Sequence, residues 1–188
     1  MKIPIDVFKS IFILSFICLF MAGALAVVNH FTYPKIESDA AERAYVARSK
    51  IIPEADGFVL MDIDKMRVSG MPESIIEVYK TTNETGYIFT ISVNGFGREN
   101  MRLLCGVNMD GRIIESNKDD LVLSHTETPS YFNKVFTVPH LSRFWNSDKT
   151  DIEKIDAVSG ATVSSNALQR AFVYALSAFE IIRENQYE

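Results

Sequence analysis

The chain has 188 residues, a net charge of −5 and a hydrophobic fraction of 47%, so it has room for one ordinary domain and an appendage. The acidic balance excludes the nucleic-acid-binding class, because phosphate binding requires an excess of lysine and arginine on one face. The two cysteines, Cys18 and Cys105, lie far apart, and the three histidines have no partner at metal-ligand spacing. A disulfide framework and a zinc site are therefore not expected.

The N-terminal part of the chain contains an uncharged apolar run at residues 10–28. This run has about the length of helix that is needed to cross the hydrocarbon core of a bilayer. A cleaved signal peptide is the alternative, because Ala24 and Ala26 form a motif typical of a cleavage site. We interpret residues 1–30 as an uncleaved, single-pass transmembrane anchor.

The charges beside this run bear on its orientation. Lys2 and Lys9 precede it, which favours a cytoplasmic N-terminus, although basic residues also follow it. We therefore expect a protein of the cytoplasmic (inner) membrane whose C-terminal domain, residues 53–188, lies outside the cytoplasm. Between the anchor and this domain, residues 31–52 contain apolar residues at helical spacing among charged ones. They predict a stalk helix that ends at Pro53.

The rest of the chain predicts an α+β fold with one antiparallel sheet. Alternating apolar residues indicate strands at residues 58–63, 75–80, 86–93, 101–107 and 112–116. The pair Asp110-Gly111 is a strong signal for a hairpin, so a meander is expected. Residues 117–150 are expected to be irregular. After Ser164 an apolar stripe of helical period predicts a C-terminal helix of about 20 residues that packs on the sheet.

The start of this predicted helix is rich in small and hydroxyl residues, which read "DAVSGATVSS" at residues 156–165. Free backbone amides and the positive end of the helix dipole would bind a phosphate beside Thr162, and Gly160 would allow close approach. Additional hydroxyl donors would come from Ser159, Ser164 and Ser165. A simple helix cap is the alternative interpretation of the same residues.

The stretch "DAVSGAT", residues 156–162, closely resembles the flavinylation motif of the FMN-binding domain family. The resemblance implies that Thr162 carries FMN as a phosphoester, made from FAD by a separate Mg-dependent flavin transferase. It also places Ala161 beside the cofactor. Asp156 would brace the turn by accepting backbone N–H groups. The chain departs from the motif at Ala157, where glycine is frequent in the family.

Two further stretches are similar to the same family: "GYIFTISVNGFG" at residues 86–97 and "SHTETPSYF" at residues 124–132. The second resembles a His-x-Glu-Thr-Pro loop and implies that Glu127 and Thr128 contact the flavin or support its loop. Here Ser-Tyr-Phe follows the proline, where the family has Gly-Leu-Gly. Tyr131 with its neighbour Phe132 is one candidate pair for stacking on the flavin ring.

Other aromatic residues have more than one possible role. Tyr87 and Phe89 are the alternative pair for stacking on the flavin, and core packing is the more common fate of such residues. Trp145 is either a plug between surface and core or an anchor for a partner subunit.

The family resemblance implies a membrane-anchored electron carrier. Its members include a subunit of the Rnf complex, which couples ferredoxin:NAD electron transfer to ion translocation, and a subunit of the Na⁺-translocating NADH:quinone reductase. We expect an Rnf-type subunit that has the other membrane subunits as partners and does not catalyse a reaction alone. A quinone-reductase-type subunit and a stand-alone carrier are alternatives. A non-redox anchored interaction module is the alternative from another class.

Overall fold

The computed structural model describes the backbone of residues 5–185, and within that range all side chains except those of residues 5–8, 10, 34 and 36–40. Lys2, which contributes to the expected orientation, lies outside the described residues. So do the first four residues of the predicted anchor and the last three of the predicted domain.

The described part of the chain contains both helices and strands. The helices are α1 (Ile5–Ile51), α2 (Ile63–Val68), α3 (Lys118–Leu121), α4 (Pro129–Val135), α5 (Val138–Leu141), α6 (Lys149–Ile152) and α7 (Thr162–Asn185). The strands are β1 (Phe58–Leu60), β2 (Ile75–Thr81), β3 (Gly86–Val93), β4 (Met101–Asn108) and β5 (Val122–Ser124).

Helix α1 contains the apolar segment of the N-terminus. Its 23-residue stretch Ile11–Tyr33 is long and apolar enough to cross a membrane, a test that a signal sequence near the N-terminus also passes. The helix ends at Ile51, two residues before Pro53, whose ring and missing N–H oppose further helix. The chain divides into two compact units, Met1–Ala44 and Tyr45–Glu188.

The sheet lies in the second unit and has the order β1-β2-β3-β4-β5, so the predicted antiparallel meander is confirmed, with a fifth strand that the sequence does not predict. The turn between β2 and β3 is closed by Thr81, whose Oγ1 accepts the N–H groups of Thr85 at 2.9 Å and Gly86 at 3.1 Å. The side chain thus takes over bonds that the turn backbone leaves open.

The predicted strand at residues 112–116 is wrong. Only an isolated bridge from Ile113 to Val107 forms, although the N–H of Asn108 does donate to the Arg112 carbonyl across the expected turn. The other hydrogen bonds of Ile113 go away from the sheet, to the backbone of residues 146–147. Strand β5 pairs with the other end of β4, at Arg102 and Leu103.

Two other predicted segments differ in the structure. The strand predicted for residues 58–63 stops at Leu60, because Asp62 caps α2 by accepting the N–H of Asp64 at 3.2 Å. Residues 117–150 are not irregular, since they contain β5, the short helices α3, α4 and α5, and the start of α6. Proline stands in the first turn of α4 and α5, where its missing N–H costs nothing.

Both faces of the sheet in this unit are covered. On one face Tyr87, Phe89 and Ile91 of β3 belong to the core that includes the apolar stripe of α7. On the other face Ile88 and Leu104 pack with the end of α1. Because successive side chains of a strand point to opposite faces, nearly every residue of β3 is buried. The predicted packing of the last helix on the sheet is therefore confirmed.

Gly106 allows the end of α1 to approach β4, because a Cβ built there would lie 2.6 Å from Cγ2 of Ile51. We expect Gly106→Ala to lower the free energy of unfolding by about 1–3 kcal/mol through overpacking. In an Ile51→Ala background the same substitution should cost less, because the clashing methyl group is gone. Chemical denaturation of the four proteins in mild detergent measures this coupling, and equal costs in both backgrounds would contradict the contact.

Candidate functional site

The turn before α7 places Thr162 at the protein surface. Thr162 is the first residue of the helix and is exposed. The preceding turn is closed by the N–H of Ala161, which donates to the Val158 carbonyl at 3.0 Å. Gly160 has a φ of +72°, a left-handed conformation that residues with a Cβ adopt at a cost. The glycine therefore lets the chain turn sharply into the helix.

A side chain of the helix itself braces this turn. Ser165 Oγ accepts the N–H of Val158 at 3.1 Å and lies 3.4 Å from Nε2 of His140. The sequence predicts this role for Asp156, but Asp156 is exposed and forms no hydrogen bond within residues 5–185. The hydroxyl of Ser165 is buried and used inside the protein.

The first turn of α7 has unused donors. The first intrahelical bond runs from the N–H of Ser165 to the Ala161 carbonyl at 2.9 Å, so the amides of residues 162–164 precede it. The hydroxyl of Ser164 is fully buried and has no hydrogen-bond partner among residues 5–185. Ser159 is exposed beside the turn. The turn thus combines an exposed Thr162 hydroxyl with amides that have no acceptor in the helix.

Sequence reasoning missed the cation beside this turn. A Cβ built on Gly160 would lie 3.1 Å from Nζ of Lys134, which stands in the last turn of α4. Helix α4 lies in the segment that the sequence predicts to be irregular, and no sequence spacing connects residue 134 with residue 160. Only the contact between α4 and α7 brings them together.

Glu127 interlocks the other two motifs, residues 86–97 and residues 124–132. Its Oε1 accepts the N–H of Phe96 at 2.9 Å, and a Cβ on Gly95 would overlap the same oxygen. A Cβ on Gly97 would lie 2.8 Å from the backbone nitrogen of Glu127. Glu127 is only 6% exposed, and its Oε2 has no hydrogen-bond partner in the described part of the chain. A buried carboxylate oxygen without a donor is costly, so this oxygen is a candidate acceptor for a ligand.

Aromatic rings flank the interlocked loops. The half-buried ring of Tyr131 lies 4.4 Å from that of Phe96, and His125 stacks on Phe132 at 3.8 Å with an interplanar angle of 8°. Thr128 is exposed at the N-cap of α4 and forms no side-chain cap bond.

The other aromatic candidates lie elsewhere. Tyr87 and Phe89 are buried in the core, where Tyr87 contacts Phe179 of α7. Trp145 is half-buried and meets Phe172 edge-on, with ring centroids 6.0 Å apart. Of the two pairs considered for stacking, only Tyr131 and Phe132 lie near Glu127, in the first two turns of α4, and of these Phe132 is buried while Tyr131 is half-buried.

Helix α7 is hydrogen-bonded to the loop at residues 94–97, because Arg170 donates to the carbonyl of Asn94 at 3.0 Å. The structure thus gathers three segments that the sequence separates: the turn before Thr162, helix α4 with the loop before it, and residues 94–97.

Comparison with known proteins identifies this assembly of segments. Residues 95–177 match the family of the FMN-binding domain, so this part of the chain is an FMN-binding domain. The matched range contains the Glu127 loop, α4 and the first two-thirds of α7. The resemblance seen in the sequence is therefore confirmed.

The chain is more particularly a distant homologue of the G subunits of Rnf complexes. It is 29% identical to the G subunit of the Na⁺-translocating ferredoxin:NAD⁺ oxidoreductase complex of Acetobacterium woodii, in an alignment of 203 positions that covers 95% of this chain and 96% of the relative. It is 26% identical to the G subunit of the ion-translocating oxidoreductase complex of Methanosarcina acetivorans, with coverage of 78% and 80%. No solved structure matches the chain.

The burial of His140 predicts a pH dependence of stability. Burial lowers the pKa of His140, and the nearby charge of Arg143 lowers it further. The unfolded chain binds this proton near the ordinary value of about 6.5, so the contribution of His140 to stability is present above that pH and is lost as pH falls through the lowered pKa.

We therefore expect the midpoint temperature of thermal unfolding to decrease as the pH is lowered from about 7.5 to about 5.5. This window spans the ordinary histidine pKa. His140→Gln should flatten this part of the profile. Thermal unfolding in mild detergent measures both proteins, and parallel profiles would show that His140 is not the titrating group.

The close packing of Gly95 against Glu127 predicts that a side chain at position 95 lowers the stability of the protein. Gly95→Ala should displace the Glu127 carboxylate and leave a buried charge without its backbone donor, at a cost of about 1–3 kcal/mol. Gly57→Ala is a matched control, because its Cβ would meet Thr82 at an ordinary contact distance of 3.4 Å. Denaturation in mild detergent compares the two variants. An equal loss of stability in both would contradict the interlock.

Proposed function

We propose that this chain is the G subunit of an Rnf-type complex and relays electrons through FMN that is bound covalently to Thr162. The proposal is supported by the family match, whose range encloses Thr162, and by the near full-length similarity to a G subunit of known function. The single observation that carries the covalent part is the exposed hydroxyl of Thr162 at the open end of α7.

The residues around Thr162 fit an anionic phosphate. The amides of residues 162–164 and the helix dipole favour negative charge at this end of α7. No acidic residue stands in the first turn of the helix, and Gly160 leaves the backbone uncovered. A phosphate joined to Thr162 Oγ would therefore meet donors and no repelling carboxylate from the helix.

The residues of the interlocked loops fit the flavin ring system. The unpartnered Oε2 of Glu127 requires a donor, and the imide N–H of an isoalloxazine is one. Tyr131 offers an aromatic surface of the kind that packs against a flat ring. Thr128, Ser159, Ala161 and Asp156 stay predicted neighbours of the cofactor.

The attachment that we propose is a phosphoryl transfer from FAD, performed by a separate Mg-dependent flavin transferase. Thr162 Oγ forms a bond to the phosphorus of the FMN half, and the bond from that phosphorus to the oxygen of the AMP phosphate breaks. AMP leaves with the bonding electron pair, and the hydroxyl proton passes to a base of the transferase or to water. No electron is gained or lost by the flavin in this step.

In the complex, the protein would hold a redox cofactor and place it between partners. Bound FMN supplies one- and two-electron transfer, and its potential depends on the surrounding protein. The apolar segment Ile11–Tyr33 would anchor the chain in the cytoplasmic membrane with the FMN-binding domain outside the cytoplasm. A covalent link has a clear use there, because a dissociated cofactor would be lost from the cell. The other membrane subunits would be the electron donor and acceptor.

The test is a denaturing gel of the full chain, produced with and without the flavin transferase and viewed under ultraviolet light. We expect a fluorescent band only with the transferase, and no band for Thr162→Ala. Thr150→Ala removes another exposed threonine and should keep the band.

Fluorescence that survives in Thr162→Ala would overturn the assignment of the acceptor. A wild-type chain that never acquires flavin would overturn the electron-carrier proposal and favour a non-redox module, in which Thr162 only begins a helix. The partners are tested separately, by identifying the subunits that copurify in mild detergent. Quinone-reductase subunits in place of Rnf subunits would contradict the Rnf assignment.

A further inference from the structure

The arrangement of charge at the start of α7 is unusual. Lys134 brings an ammonium group to the turn before the helix, at the end where the dipole is already positive. Cations are stabilising at the opposite end of a helix, and anions at this end. The first turn of α7 contains no acidic residue that would offset the added charge.

Lys134 is not engaged elsewhere. Within residues 5–185 its Nζ forms no ion pair and no hydrogen bond, although five other lysines there pair with carboxylates. Asp156, the acid of the same turn, does not pair with it. The lysine is exposed, so its position against Gly160 is not imposed by burial.

Two observations at this turn bear on what it could bind. A side chain at position 160 would press on Nζ of Lys134. The glycine therefore lets the backbone and the ammonium group lie close together. Ser164, in the first turn of α7, has a hydroxyl that is fully buried and without a partner in the described part of the chain. An anion bound at this turn would separate the two positive centres and supply acceptors.

We infer that Lys134 pairs with the phosphate that joins FMN to Thr162 and positions it for attachment. This inference rests on the proposed function. The phosphodiester carries one negative charge, which the ammonium and the helix end share. During transfer from FAD the negative charge on the phosphate oxygens meets the ammonium of Lys134, so the residue favours attack by Thr162 Oγ. Lys134 is a positioning residue, because the bonds that change lie between Thr162 and FAD.

The experiment measures flavin attachment to the full chain in mild detergent, with purified flavin transferase, Mg²⁺ and FAD. Lys134→Ala should lower the kcat/KM of attachment roughly ten- to hundredfold, the range expected for a lost charge-assisted hydrogen bond. Lys134→Arg should restore the rate to within a few-fold, and Lys134→Glu should lower it further. The matched control is Lys154→Ala, since Lys154 is an exposed lysine that pairs with Asp151 at 3.7 Å.

A second readout does not depend on activity. After prolonged attachment, the ³¹P resonance of the phosphodiester should shift in Lys134→Ala relative to wild type, and return towards the wild-type position in Lys134→Arg. The resonance should not move in Lys154→Ala. Equal melting temperatures of the unflavinylated variants verify that folding is intact.

Attachment to Lys134→Ala at the wild-type rate, together with an unchanged ³¹P resonance, would overturn the role of Lys134. In that case a band that still requires Thr162 leaves the proposed function standing. A wild-type chain that takes up no flavin would remove the proposed function and this inference together. The two failures are therefore distinguishable.

Discussion

The structure depends on the burial of one apolar stripe of α7 against β3 and β4. That contact removes Phe172 and Phe179 from water, each a side chain whose burial is worth about 1.5–3 kcal/mol. It also fixes where the helix begins, because the stripe sets both the rotation and the height of α7 on the sheet. Thr162 lies at the surface as a consequence, and the turn before it is held by Ser165, a residue of the same helix.

The meander supports α7 on one face while its loops bring the other site residues to the same region. The loop at residues 94–97 follows β3, and the Glu127 loop follows β5, so both begin at ends of strands. Arg170 then joins the first of these loops to α7. Rigid elements therefore position the exposed groups, while the groups that would meet a ligand lie on turns and loops.

The sequence predicts the elements whose signals are local. The period of α7 and the alternation in β2, β3 and β4 are complete within each element, and their predicted order and packing are right. The strand at residues 112–116 fails because Ile113 bonds to residues 146–147, a long-range partner that no local pattern reveals. Lys134 was missed for the same reason. It is a candidate site residue because it lies beside Gly160, which is distant in sequence and adjacent in space.

The fit between Glu127 and the two glycines of the loop at residues 94–97 has a consequence for divergence. A larger residue at Gly95 would collide with the Glu127 carboxylate, so it becomes tolerable only after the acid has changed, whereas one at Gly97 would collide with the backbone whatever residue stands at position 127. Positions 95 and 127 are thus expected to covary among descendants of this chain despite a separation of about thirty residues, while position 97 stays glycine. Drift in one loop is constrained by the other, which leaves the outer surface of the domain as the region free to diversify.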